Sequence, residues 1–189
     1  MYDPLMTPAG LSIDAHKARI TSDRLYLRPV VLADAPQILE YFTDEIVHYM
    51  FPAAAKRIED VVCFINEALE GEKNSINFQF SICDNNSGEF LGCCGLHKLK
   101  DEVAPEVGIW IKRTAHGQGY GCEAITALKA WVETNLDYRY LIYPVDRDNH
   151  PSRRIPEKLG GVMTDSYSKV TAADRLLNIV VYQIPLARK

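Results

Sequence analysis

The sequence lacks cysteine pairs. Its five cysteines, Cys63, Cys83, Cys93, Cys94 and Cys122, form an odd set with no C-x-x-C spacing. That excludes a disulfide framework and a zinc site as organising devices, so no metal is expected, and it makes reduced thiols in a cytoplasmic setting the expectation. A basic excess is also missing: the formal net charge is −4, whereas nucleic-acid binding calls for a clustered cationic face. No nucleic-acid partner is expected, and the sign of the charge favours a cationic one. No apolar run approaches the length of a bilayer crossing, so no membrane partner is expected either. Residues 1–20 carry Asp3, Pro4, Pro8 and Asp14 without an apolar stretch and do not read as a signal peptide. Nor does a repeat or low-complexity block indicate a second domain. What is there is a globular balance, 47% hydrophobic and 24% charged, in a chain long enough to bury one core without covalent staples. The expected organisation is an N-terminal arm over 1–20 and a single domain over 21–189.

Periodicity supplies the elements. RLYLRPV (24–30) alternates as a strand. Asp34, followed by Pro36 and Gln37, reads as an N-cap opening a first helix through Ile38, Leu39 and Phe42. Ile58, Val62, Ile65 and Leu69 stand at helical spacing, closed by Gly71. The period then switches to two: 77–83, a turn over 84–88, 89–99 and 106–111 read as an antiparallel meander. A long helix from about Gly119 to Asn135 precedes the strand at 140–145, so this part forms a crossover with parallel neighbours. A short helix ending at Lys158-Leu-Gly-Gly161 and extended stretches near 162–170 and 177–185 complete the chain. The expected fold class is mixed α/β, antiparallel early and parallel at one central junction.

The segment HGQGYGCEA (116–124) sets glycines at 117, 119 and 121 immediately before helix-forming residues. A Walker loop would end in Gly-Lys-Ser/Thr, and Gly121 is followed by Cys122. A dinucleotide loop would need G-x-G-x-x-G, and here the third glycine comes one residue too soon. What remains is a compact nest: amides from Gln118 to Gly121, at the positive end of a helix, are able to converge on a pyrophosphate. A glycine-rich turn that merely joins strand to helix is the other account of the same residues.

Taken with two further segments, this loop resembles the acetyl-CoA signature of the GCN5-related N-acetyltransferase (GNAT) superfamily, and within it the RimJ/RimL-like group. The signature, Arg or Gln followed by x-x-G-x-G/A, lies at His116-Gly117-Gln118-Gly119-Tyr120-Gly121, and GYGCEA continues it as in that group. EVGIWI (106–111) is similar to the group's strand entering the loop, and Asn149-x-x-Ser152 with Glu157-Lys-Leu-Gly160 is similar to its later elements. The resemblance spans roughly Thr21 to Pro185. It implies a mixed sheet of about seven strands and about four helices, whose fourth and fifth strands splay apart around the pantetheine arm of acetyl-CoA. It further implies that main chain of Ile109, Trp110 and Ile111 pairs with pantetheine. The loop from His116 and Gly117 through Tyr120, with the amides of Gln118 to Gly121, would hold the diphosphate, and Asn149 and Ser152 would approach the thioester. Acetyl-CoA is thus the implied cosubstrate and a primary amine the implied acceptor. The acceptor is a protein N-terminal α-amine, with a small amine as the alternative, and a homodimer is a further implication. Two departures stand out: His116 replaces Arg or Gln, and Pro156 occupies the position where many superfamily members carry the tyrosine that protonates the thiolate. They keep open a reading as a non-catalytic acyl-CoA sensor, and a proline inside the short helix should also kink it or delay its start.

Acetyl transfer to an amine needs a neutral nucleophile and a proton for the departing sulfur. Glu106, two residues before Gly108 on the entering strand, is the candidate base, and a solvated carboxylate is its plain alternative. Ser152, in the position of the group's serine, is the candidate proton donor, with a helix cap as its alternative. His97 on the neighbouring strand is a candidate relay or a packed histidine. The pair Arg153-Arg154 either meets a CoA phosphate or forms a solvated helix face.

Overall fold

Alternating apolar positions build one sheet, and its outline follows from which side chains need covering. The computed structural model describes residues 18–100, 104–171 and 174–187 and, as strand backbone, 5–6 and 12–13. Most of the arm expected over 1–20 therefore lies outside the described residues. A two-stranded ribbon joins β1 (Leu5–Met6) to β2 (Ser12–Ile13). The main sheet comprises β3 (Ile20–Thr21), β4 (Leu25–Pro29), β5 (Phe78–Asp84), β6 (Phe90–His97), β7 (Glu106–Ile111), β8 (Tyr140–Asp146), β9 (Val162–Val170) and β10 (Leu176–Pro185). Their order is β3-β4-β5-β6-β7-β8-β10-β9, eight strands where about seven are expected, because the two-residue β3 with its buried Ile20 joins the edge.

Among the described residues four α-helices cover both faces. α1 (Ala35–Tyr41) and α2 (Ile58–Lys73) lie on one, where Ile38, Val61, Ile65 and Ala68 pack with Phe90 and Cys93. α3 (Tyr120–Asn135) and α4 (His150–Lys158) lie on the other. There Ala124, Ile125, Leu128 and Val132 of α3 are fully buried against Leu25, Leu27, Phe80, Ile82 and Leu96. Each large aliphatic side chain so buried contributes roughly 1.5–3 kcal/mol. Coverage on both sides explains why β6 is buried from Phe90 through Leu96 and reads as an unbroken apolar run rather than an alternation. Among the described residues, no helix is long and apolar enough to cross a membrane.

Three local expectations are corrected. The α2 stripe is Val61, Ile65 and Ala68, and Ile58 is exposed. Gly71 does not close that helix, which runs on to Lys73. A Cβ on Gly71 would lie 2.2 Å from Asn77 Oδ1, so the glycine answers to a close approach rather than to helix termination. Pro156 neither delays nor ends α4: Asn149 caps it from its side chain to the Ser152 amide at 3.3 Å, and the helix continues two residues past the proline.

Asp34 stands before α1, but its side chain makes no capping bond. It turns inward. Arg28 donates to both its oxygens at 2.8 and 2.5 Å, the Val31 amide at 3.0 Å and the Ser81 hydroxyl at 2.7 Å. The carboxylate thereby ties β4, β5 and the start of α1 together. Burial alone would raise its pKa, but the bonds from Arg28, Val31 and Ser81 outweigh burial and hold it below the ordinary value. A depressed carboxyl contributes stability that is complete above its unfolded pKa of about 3.9 and is lost as pH falls through the folded value. Asp34→Ala should therefore cost about 3–5 kcal/mol in urea unfolding at pH 7, the usual result of stripping one partner from a buried ion pair, and the gap from wild type should narrow below about pH 4.

Candidate active site

The sheet opens at its centre. β7 and β8 are parallel and share one ladder pair, Glu106 with Ile142, supported by the Ile142 amide donating to the Pro105 carbonyl at 2.9 Å. Beyond that pair β7 stays with β6 and β8 stays with β10, leaving a wedge between them. Alternation decides which main-chain groups face it. The Pro105 carbonyl points to β8, while the Lys112 amide donates to Leu91 on the β6 side at 2.7 Å. The Trp110 carbonyl crowds Gly92, 2.1 Å from where a Cβ there would sit. Odd-numbered residues thus face the gap. Ile109 and Ile111 present main chain to the wedge, whereas Trp110 is engaged by β6 and its ring packs on Phe42 and Phe90 at 5.0 and 5.8 Å.

At the far end of β7 the chain passes through His116 into the glycine loop. His116 Nε2 donates to the Ile111 carbonyl at 2.6 Å, so its ring is turned back onto the strand. Gly117 and Gly119 adopt φ of +75° and +82°, a region only glycine enters without strain. Residues 116–119 are exposed, and among the described residues no acceptor receives the amides of 117–122. These are the orphan donors of a helix start, concentrated at its positive end. Gly121 serves packing instead. A Cβ there would sit 3.3 Å from Ile155 and 3.8 Å from Ile109 and Ile111, so its smallness lets α3 pack on α4 and β7.

Two residues that no spacing rule links to the loop also belong to it. Arg24, just before β4, donates from Nε to Glu123 Oε2 at 2.7 Å and from Nη1 to the Gln118 carbonyl at 3.1 Å. Its guanidinium lies 4.4 Å from the centroid of the Tyr120 ring. Ninety-nine positions separate Arg24 from Glu123; only the acid at the helix start hinted that a cation was needed.

A cavity of about 720 Å³ fills the wedge, lined by Gln79, His97, Glu106, Ile109 and Tyr143 of the sheet and by Asn149 and Ser152 at the start of α4. Glu106 therefore faces the cavity, but it is ion-paired with Lys98 at 2.7 Å. His97 lies against Gly108, whose missing side chain gives it room, and Gln79 Nε2 is 3.2 Å from His97 Nε2. Burial lowers the His97 pKa, while Glu106 raises it and Lys98 lowers it by smaller amounts, so the ring is neutral at pH 7. Ser152 Oγ is 2.9 Å from the Tyr143 hydroxyl. Tyr143, on β8, is a residue the pattern YLIYPV conceals as ordinary core; burial pushes its phenol well above the usual value, so it stays protonated. Arg153 donates to the Tyr182 hydroxyl at 3.2 Å and to the Arg147 carbonyl at 3.0 Å, while Arg154 is exposed.

The opposite wall is apolar, formed by Phe42, Phe64 and the α1–α2 connection from Tyr49 to Ala55. Arg175, ahead of β10, fastens that connection by donating to the His48 and Val47 carbonyls at 2.7 and 2.9 Å.

The family model for the acetyltransferase (GNAT) domain matches residues 24–162. Among functionally curated proteins none matches the sequence. Solved structures share the fold at low identity. A GNAT-family acetyltransferase from Bacillus anthracis is 20% identical with a TM-score of 0.78, over 89% of this chain and 98% of that one. The ribosomal-protein α-N-acetyltransferase RimL, solved with coenzyme A, is 15% identical with a TM-score of 0.78 over the same shares. A Salmonella typhimurium acetyl transferase, described as modifying the N-terminal serine of a 50S ribosomal subunit protein, is 15% identical with a TM-score of 0.76, over 90% and 100%.

The charges around His97 make its titration a direct check of this geometry. In an NMR titration His97 should show a midpoint below the ordinary value of about 6.5. Glu106→Gln should move that midpoint lower still and Lys98→Met should move it up, because the first removes a charge that favours the imidazolium and the second one that opposes it.

Proposed function

This chain belongs to the GNAT acetyltransferase family and is an acetyl-CoA-dependent N-acetyltransferase, and on that premise we propose that its acceptor is the α-amino group of a protein N-terminus. The observation carrying this reading is that, among the described residues, the carboxylates lining the cavity are engaged, Glu106 by Lys98, Asp60 by Arg57 and Asp146 by the Asp148 and Asn178 amides, and His97 is a half-buried imidazole of lowered basicity. An α-amine, with a pKa of about 7.7–8.0 against about 10.4 for lysine, is partly neutral already near pH 7. The apolar wall from Tyr49 to Ala55 offers contact for the first side chains of an extended peptide. Structural likeness to the Salmonella enzyme acting on an N-terminal serine supports the same reading.

Acetyl-CoA, when bound, supplies the activated acetyl carbonyl and a thiol leaving group. Amides from Gln118 to Gly121, freed by Gly117 and Gly119, hold the diphosphate, and their lack of internal acceptors is what fits them to it. Main chain of Ile109 and Ile111 pairs with the pantetheine amides as an added strand would. Asn149 fixes the start of α4 so that Ser152 faces the thioester end. His97 takes the proton shed by the acceptor amine, and the Glu106 carboxylate beside it favours the imidazolium so formed. Ser152 gives its hydroxyl proton to the departing sulfur and takes back the proton shed by the amine once His97 releases it, so no alkoxide remains, and Tyr143, acting as donor in its contact with Ser152 Oγ, leaves the serine hydrogen free for the sulfur. Tyr143 is a positioning residue here: its phenol, kept protonated by burial, holds Ser152 Oγ and is left unchanged by the transfer.

Thiol release measured with acetyl-CoA and a peptide panel tests the acceptor: peptides with a free N-terminus should turn over, and the same peptides blocked at the N-terminus but carrying lysine should not. Turnover of the blocked peptides, or of small amines alone, would replace this acceptor. Ser152→Ala should lower kcat by roughly 10²-fold with little change in the KM for acetyl-CoA, since the lost interaction belongs to the reaction and not to binding. An equal rise in KM would instead make Ser152 a binding residue.

A further inference from the structure

The glycine loop carries an apparent contradiction. Its exposed amides suit an anion, yet Glu123 sets a carboxylate in the first turn of α3 beside them. A bare carboxylate at that point would occupy the field of the helix start and repel a diphosphate. It is not bare. Oε1 accepts from the Ser22 hydroxyl at 2.7 Å and the Arg24 amide at 2.8 Å, and Oε2 accepts from Arg24 Nε at 2.7 Å. Burial alone would raise the Glu123 pKa, but the bonds from Arg24 and Ser22 bring it below the ordinary value, so the carboxylate is charged at pH 7 and depends on Arg24 for its compensation.

The same guanidinium reaches the loop. Nη1 holds the Gln118 carbonyl at 3.1 Å, between the two left-handed glycines, and Nη2 stands 3.7 Å from the place of a Cβ on Gly119. The face of Tyr120 supports it from the side. His116 does not supply this cation, because its ring is spent on the Ile111 carbonyl and stands 3.5 Å from Arg113 Nη1. Arg113 is itself paired with Glu45 at 2.8 Å.

We infer that Arg24 is the positioning residue of the diphosphate site: it cancels the Glu123 charge and, by holding the Gln118 carbonyl, keeps residues 117–119 in the form that gathers their amides. This rests on the reading of the loop as the diphosphate site. The two roles give opposite signs to substitutions at the two ends of one ion pair, which a scaffold contact would not do.

The test is calorimetric titration of coenzyme A into the full-length protein, with thermal unfolding of each variant recorded alongside. Arg24→Met should weaken coenzyme A by roughly tenfold, the order expected from one uncompensated charge near a diphosphate, and the loss should shrink as salt is raised. Glu123→Gln alone should bind as well as wild type or better. Glu123→Gln added to Arg24→Met should recover affinity to within a few-fold of wild type even if the double variant melts lower. The inference is overturned if the double variant binds no better than Arg24→Met, if Arg24→Met binds like wild type, or, should Arg24→Met not fold, if Glu123→Gln alone weakens binding tenfold. Failure of the wild-type protein to take up coenzyme A would instead remove the underlying reading of the loop.

Discussion

The site depends on a single ladder pair. Glu106 and Ile142 join two antiparallel blocks, β3 to β7 and β8 to β10, into one sheet. Each block is internally complete, with β7 paired along its length to β6 and β8 to β10. The join can therefore be short without leaving either block unstable. What it leaves is a length of β7 whose odd-numbered main-chain groups lack a neighbouring strand, and an unpaired strand edge inside a protein is a template for something extended.

The remaining parts are arranged around that opening at fixed distances from its hinge. The chemical end lies near it, where Glu106 and His97 meet across adjacent strands and Tyr143 and Ser152 converge from β8 and α4. The anion end lies past the last residue of β7, where the chain must turn into α3 and two left-handed glycines make the turn. On the proposed function strand length sets the span between thioester and diphosphate, and the side chains of Ile109 and Ile111 pack beneath Gly121.

Much of this was legible in the sequence because it is local. Extended apolar runs between turn residues marked β4 to β8, helical spacing marked α3, and the glycine spacing with its helix start marked the loop. Legibility failed wherever a side chain serves a distant partner. Asp34 has the sequence context of a helix cap but bonds Arg28 and Ser81. Gly71 looks like a stop and instead makes room for Asn77. The α2 stripe keeps Ile65 but buries Val61 and Ala68 more deeply than Val62 and Leu69, because tertiary contact, not spacing alone, selects the buried face. Tyr143 is indistinguishable from core in a strand pattern, and Arg24 with Glu123 is a pairing of residues from opposite halves of the chain. Charge partners and hydroxyl pairs carry no periodicity, so a one-dimensional pattern cannot announce them.

The Arg175 clasp on the Val47 and His48 carbonyls separates two kinds of inheritance. The half of the cavity that the proposed function gives to the acceptor is pinned by a distant hairpin through backbone oxygens, which any sequence in the clasped segment provides. Residues from Tyr49 to Ala55 are consequently free to be rewritten for a new clientele while the transfer machinery across the gap is left untouched.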